Sequence, residues 1–88
     1  MQKLTALTAY IERSFHIDLR STADGGFLCL VFGIEGIKTY SENEMAFLYA
    51  GGEVVFLGQD LYCKTYLNKT VEIRGKLTDI RMEARRKA

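Results

Sequence analysis

MAFLYAGGEVVFLGQDLYCKTYLNKTVEIRGKLTDIRM, from Met45 to Met82, is a series of short segments in which apolar and polar residues alternate, punctuated by glycines. Alternation of period two belongs to strands rather than helices. The connections are too short to hold the crossover that a parallel pair requires, so the stretch predicts antiparallel neighbours in a β meander. Gly51 and Gly52 sit between two strands and suit the positive φ values of a two-residue primed hairpin turn. Gly58 and Gly75 each close a strand, where the chain reverses or bulges. Asn68 tolerates the left-handed region, which fits a reversal between Tyr66 and Thr70.

Upstream, Ala23-Asp24-Gly25-Gly26 is a turn between the strand HIDLR and the apolar run FLCLVFGI. Gly36 to Tyr40 and the polar turn Ser41 to Glu44 then lead into the meander. Leu4, Leu7 and Ile11 stand at i, i+3 and i+7 with Tyr10 alongside, the apolar stripe of a short amphipathic helix. The chain is therefore expected to be one domain over 1–88: a helix over 1–14, a β meander over 16–82 and a basic tail over 83–88. The expected fold is mainly β, a small antiparallel sandwich or roll with one short N-terminal helix. A short β-solenoid is the alternative, since glycine-closed strands also suit stacked coils.

Eighty-eight residues, with 48% hydrophobic content and a formal net charge of +1, fit a single globular domain without the electrostatic field of a nucleic-acid binder. Proline is absent, so no strand loses a ladder donor to it. The N-terminal stretch MQKLTALTAYIERSF reads poorly as a signal peptide, because Glu12 and Arg13 fall where a cleavage site belongs. Cys29 and Cys63 read as small hydrophobes, and with His16 they lack the paired spacing of a structural zinc site. Glu42, Glu44, Glu53 and Asp60 fall in turns or at strand edges, and the single histidine accompanies no nucleophile motif. The residues predict no enzyme, no cofactor and no metal.

The strand faces carry the functional expectation. Val71, Ile73 and Leu77 oppose Thr70, Glu72, Arg74 and Lys76, as in a sheet with one face in the core and one in water. Earlier strands are apolar on both faces: Val54 and Phe56 are backed by Val55 and Leu57, and Leu61 and Cys63 by Tyr62 and Tyr66. The N-terminal helix, the sheet folded on itself, or another chain would have to cover that second face. Leu48, Val55, Leu57, Tyr62 and Tyr66 are accordingly the expected interface for a second copy or a protein partner. Arg85, Arg86 and Lys87 could bring the tail to an anionic membrane surface.

The ordered set Gly36, Ile37, Tyr40, Glu42, then Gly52, Val54, Phe56, Gly58, then Leu61, Cys63, and finally Val71, Ile73, Gly75, Leu77 and Ile80 resembles the YabP/YqfC family of sporulation proteins from endospore-forming Firmicutes. The acidic-Asn/Gly-His/Tyr segment often found in that family before the glycine–isoleucine pair is replaced here by Val31-Phe32-Gly33-Ile34-Glu35. The resemblance implies a non-enzymatic mother-cell protein, cytoplasmic or at the forespore or spore-coat surface. Its role would be assembly or adaptation in engulfment, cortex or coat formation, with a sporulation membrane protein among its conceivable partners. A small regulatory binding module unrelated to sporulation is the alternative function.

Overall fold

In the computed structural model the described residues are 2–3, 9–12 and 15–84, with side chains over 15–84. Six strands make the body: β3 (Phe15–Ser21), β4 (Phe27–Phe32), β5 (Gly36–Tyr40), β6 (Glu44–Tyr49), β7 (Gly52–Leu67) and β8 (Thr70–Ala84). Two short N-terminal strands, β1 (Gln2–Lys3) and β2 (Ala9–Glu12), join them by pairing with β8 and β3. Every pairing is antiparallel, and the order is β2-β3-β4-β8-β7-β6-β5. That order excludes the stacked parallel coils of a solenoid. No helix occurs among the described residues. Within the segment expected to be a helix, Ala9–Glu12 is extended along the edge of β3, a case of strand pairing overriding local periodicity. The rest of that expected helix lies outside the described residues.

The sheet is not a plain meander. The last strand returns between β7 and β4, so the chain must cross from one side of the sheet to the other after Phe32. Gly33-Ile34-Glu35 makes that crossing. The N–H groups of Gly33 and Ile34 both donate to Lys69 O at 2.9 Å, and Glu35 N–H donates to Leu48 O at 2.7 Å. Gly33 holds φ +92°, a left-handed conformation that favours glycine.

The long β7–β8 hairpin belongs to both halves of the sheet. Its open end pairs with β6, whereas its turn end pairs with β4. Between these regions the hairpin bends at Gly58 and Gly75, which therefore lie inside strands at bulges rather than closing them. A Cβ on Gly58 would lie 2.2 Å from Lys76 O, and one on Gly75 would lie 2.7 Å from Asp60 O. Residues from both halves of the sheet share one core. Phe15, Ile17, Cys29, Val31 and Ile73 from one half share it with Phe47, Tyr49, Val54, Phe56 and Ile80 from the other. The rings of Phe15 on β3 and Tyr49 on β6 stack at 3.9 Å.

The tight primed turn falls at Asn68-Lys69, with φ +54° and +62°, in the reversal predicted around Asn68. At the β6–β7 reversal the turn residues are Ala50 and Gly51, because Tyr49 pairs with Gly52, and neither adopts positive φ. The primed turn expected at Gly51-Gly52 does not form there, since a type I′ turn needs positive φ at both central residues.

Candidate functional site

Of the five expected interface residues, Val55 is 5% exposed, Leu48 and Leu57 are half-buried, and Tyr62 and Tyr66 are exposed by about half. They do not form one face. Tyr62 pairs with Arg74 on the outer side, whereas Tyr66 pairs with core residue Val71. A bulge between Cys63 and Thr65 inserts one residue and moves everything beyond it to the opposite side. The apolar outer face around Val55 has its own cover from charged chains. Arg81 stands directly opposite Val55 with its Nε buried, so its stem shields apolar surface. Lys38 Nζ donates to Glu53 Oε1 at 2.9 Å, two strands away across the same face. That bond holds the Lys38 pKa above its ordinary value.

The exposed large apolar side chains lie instead mostly on β5 and the turn end of β7, two segments that hydrogen bonds join at both ends of a seam. One end of the seam is closed by the Gly33 and Ile34 bonds to Lys69 O. The other is closed by Cys63 N–H, which donates to Tyr40 Oη at 3.0 Å. Ile37 lies midway between the closures on β5 and Tyr66 midway on β7. Ile37, Tyr40, Tyr66 and Leu67 are four of the five large apolar residues that stand exposed among the described ones. The turn between β5 and β6 docks alongside, with Gly58 N–H donating to Asn43 O at 3.0 Å and Leu61 N–H to Glu42 O at 2.9 Å. Those bonds satisfy outward donors that an edge strand would leave bare.

A second concavity of about 400 Å³ opens at the hairpin bend, beside the β3–β4 turn. Asp24, Asp60, Arg74 and Lys76 balance in charge around it, and Phe27 and Tyr62 supply apolar wall. The Asp24 carboxylate accepts from the Thr22 hydroxyl and from Gly26 N–H, which holds its pKa below the ordinary 3.8. Arg74 Nε donates to Glu72 Oε2 at 2.8 Å, which raises the guanidinium pKa. Asp60 sits at φ +54° in the bulge that makes the hollow. The bonds of Asp24 and Arg74 hold the turn and the strand that line the hollow.

Cys29 and Cys63 are free thiols. Burial pushes the Cys29 pKa up to about 12, and desolvation also raises that of Cys63. His16 on β3 packs its ring against Phe32 at 5.3 Å. Among the described residues no group of three His, Cys, Asp or Glu side chains could hold a metal ion, and no helix is long and apolar enough to cross a membrane. The basic residues of the tail beyond Ala84 lie outside the described residues.

Sequence reasoning passed over Ile37, Tyr40 and Leu67. The first two read as ordinary strand residues because nothing in the local pattern reveals that β5 becomes an outer strand. Comparison with known proteins gives no match to a family model, to a curated protein or to a solved structure.

Proposed function

We propose that this protein is a non-enzymatic assembly or adaptor factor that works through protein–protein contacts, in the mother cell during sporulation. The observation that carries the contact role is the exposure of four large apolar side chains, Ile37 and Tyr40 on β5 and Tyr66 and Leu67 at the turn end of β7, on two segments that hydrogen bonds join at both ends. Exposed apolar patches mark interaction surfaces, and tyrosine is enriched at them. The sporulation setting rests on the glycine-spaced resemblance. Its residues Val54, Phe56, Leu61, Val71, Ile73, Leu77 and Ile80 occupy the core, while Gly58 and Gly75 permit the bend.

The test has two parts. In a spore-forming host that carries the gene, deletion lowers the yield of heat-resistant spores, and a wild-type copy restores it. A copy with Tyr66→Glu and Leu67→Glu restores it poorly while the protein stays folded by circular dichroism. Normal spores after deletion would defeat the sporulation assignment. Full rescue by the double variant would defeat the seam as the contact surface.

A further inference from the structure

The run FLCLVF hides a second surface. Cys29 and Val31 point into the core, so Leu28, Leu30 and Phe32 stand on the outside of the same strand, half-buried. Strand register aligns charged neighbours on both sides of this stripe. Arg20, Leu28 and Arg74 form one row, and Asp18, Leu30 and Glu72 form the next. Within β3, Arg20 bridges Asp18 at 3.2 Å, and within β8, Arg74 bridges Glu72 at 2.8 Å. The result is an apolar stripe bracketed by two parallel acid–base pairs, an apolar centre with a charged rim.

We infer that this outer face of β3, β4 and β8 binds the same face of a second copy. This rests on the reading that the protein works by assembly, and it names the surface and the partner. Consider a two-fold axis in the sheet plane, running across the strands between the Leu28 and Leu30 rows. It stacks each strand on its own counterpart and exchanges the two rows. Leu28 then faces Leu30 of the other copy, Arg20 faces Asp18, and Arg74 faces Glu72. All four arginines in the pair meet carboxylates, and no like charges are opposed. A two-fold along the strands would instead set Arg20 against Arg74, so the charges select one arrangement.

A separate feature fits the same axis. Two residues beyond Leu28 toward the turn is Gly26, in the wall of the cleft at the hairpin bend, with outward-facing Arg74 and Tyr62 beside it. The operation that places Leu28 over Leu30 places Phe32 over Gly26. Each copy therefore presents an aromatic ring to a hollow in the other. Three strands about 4.8 Å apart and four rows about 6.7 Å apart give a face of roughly 390 Å² per copy. That is below the roughly 800 Å² per partner of a standard interface, so the dimer is expected to be weak and to dissociate on dilution.

Two full-length charge variants test this. An acidic one carries Arg20→Glu and Arg74→Glu; a basic one carries Asp18→Arg and Glu72→Arg. Sedimentation velocity over a concentration series is expected to show a wild-type dimer and at least ten-fold weaker self-association for each variant alone. An equimolar mixture of the two is expected to form a heterodimer, a rescue that misfolded variants cannot give. Phe32→Ala is expected to weaken the wild-type dimer several-fold. A wild-type dimer that both variants leave intact would overturn this face while leaving assembly by another surface standing. So would variants that stay monomeric when mixed. A wild type that remains monomeric throughout would overturn the inference, and the spore-yield test of the seam would then decide the functional reading separately.

Discussion

Replacing Gly58 by alanine asks whether the fold depends on the close approach at the hairpin bend. The added methyl would lie 2.2 Å from Lys76 O and 3.0 Å from Leu77 Cα, whereas ordinary contact begins at 3.4 Å. The obstruction is backbone of the paired strand rather than the end of a flexible side chain, so β8 itself must move. Overpacking costs about 1–3 kcal/mol, and a rigid neighbour places this case near 3 kcal/mol. For a domain of this size that corresponds to a melting temperature lower by roughly 12–24 °C. Gly36→Ala is the control: its nearest neighbour is Leu48 Cδ1 at 3.7 Å, so the change falls within about 0.5 kcal/mol of zero. Gly75→Ala combines a contact at 2.7 Å with φ +134°, and the backbone strain alone costs about 1–3 kcal/mol. Thermal melts followed by circular dichroism, with urea titrations to give ΔΔG, rank the three. A Gly58→Ala protein that melts within about 3 °C of wild type would refute the claim that the bend requires glycine there.

Three further outcomes follow from individual contacts. Tyr40→Phe removes the acceptor for Cys63 N–H; it should cost about 0.5–1.5 kcal/mol and speed hydrogen exchange of the Cys63 amide. In the native protein a thiol reagent at pH 8 should modify Cys63 well before Cys29, because Cys29 is buried and titrates only near pH 12. That raised pKa also sets a direction for alkaline stability. Unfolding lets the Cys29 thiol ionise from its ordinary value of 9.0, so its contribution is whole below pH 9 and is lost between pH 9 and about 12. Cys29→Ala should flatten that part of the stability-versus-pH curve, and an unchanged slope would assign the loss to other groups.

Period-two alternation made the strands, the hydrophobic positions and the Asn68 reversal readable, because each depends on near neighbours. The mainly β, antiparallel character follows from the same alternation. The insertion of β8 between β4 and β7 does not, since it is decided by which distant strand β8 meets. The run from Phe27 to Phe32 is apolar throughout, so alternation could not say which residues face out. Only the burial of Cys29 and Val31 reveals it. Alternation puts Tyr62 and Tyr66 on one face, because a bulge of one residue, at Cys63 to Thr65, leaves no mark in composition. The pattern asks for an outside cover over Val55, yet Arg81 across the strand pair supplies part of it from within.

The central claim is that this chain acts by associating with proteins, beginning with itself. Its most direct test is the mass of the purified wild-type protein by multi-angle light scattering across a concentration series. A weight-average mass rising from the 10.0 kDa of one chain toward twice that value is the predicted result. A mass fixed at one chain's value at every concentration would contradict self-association.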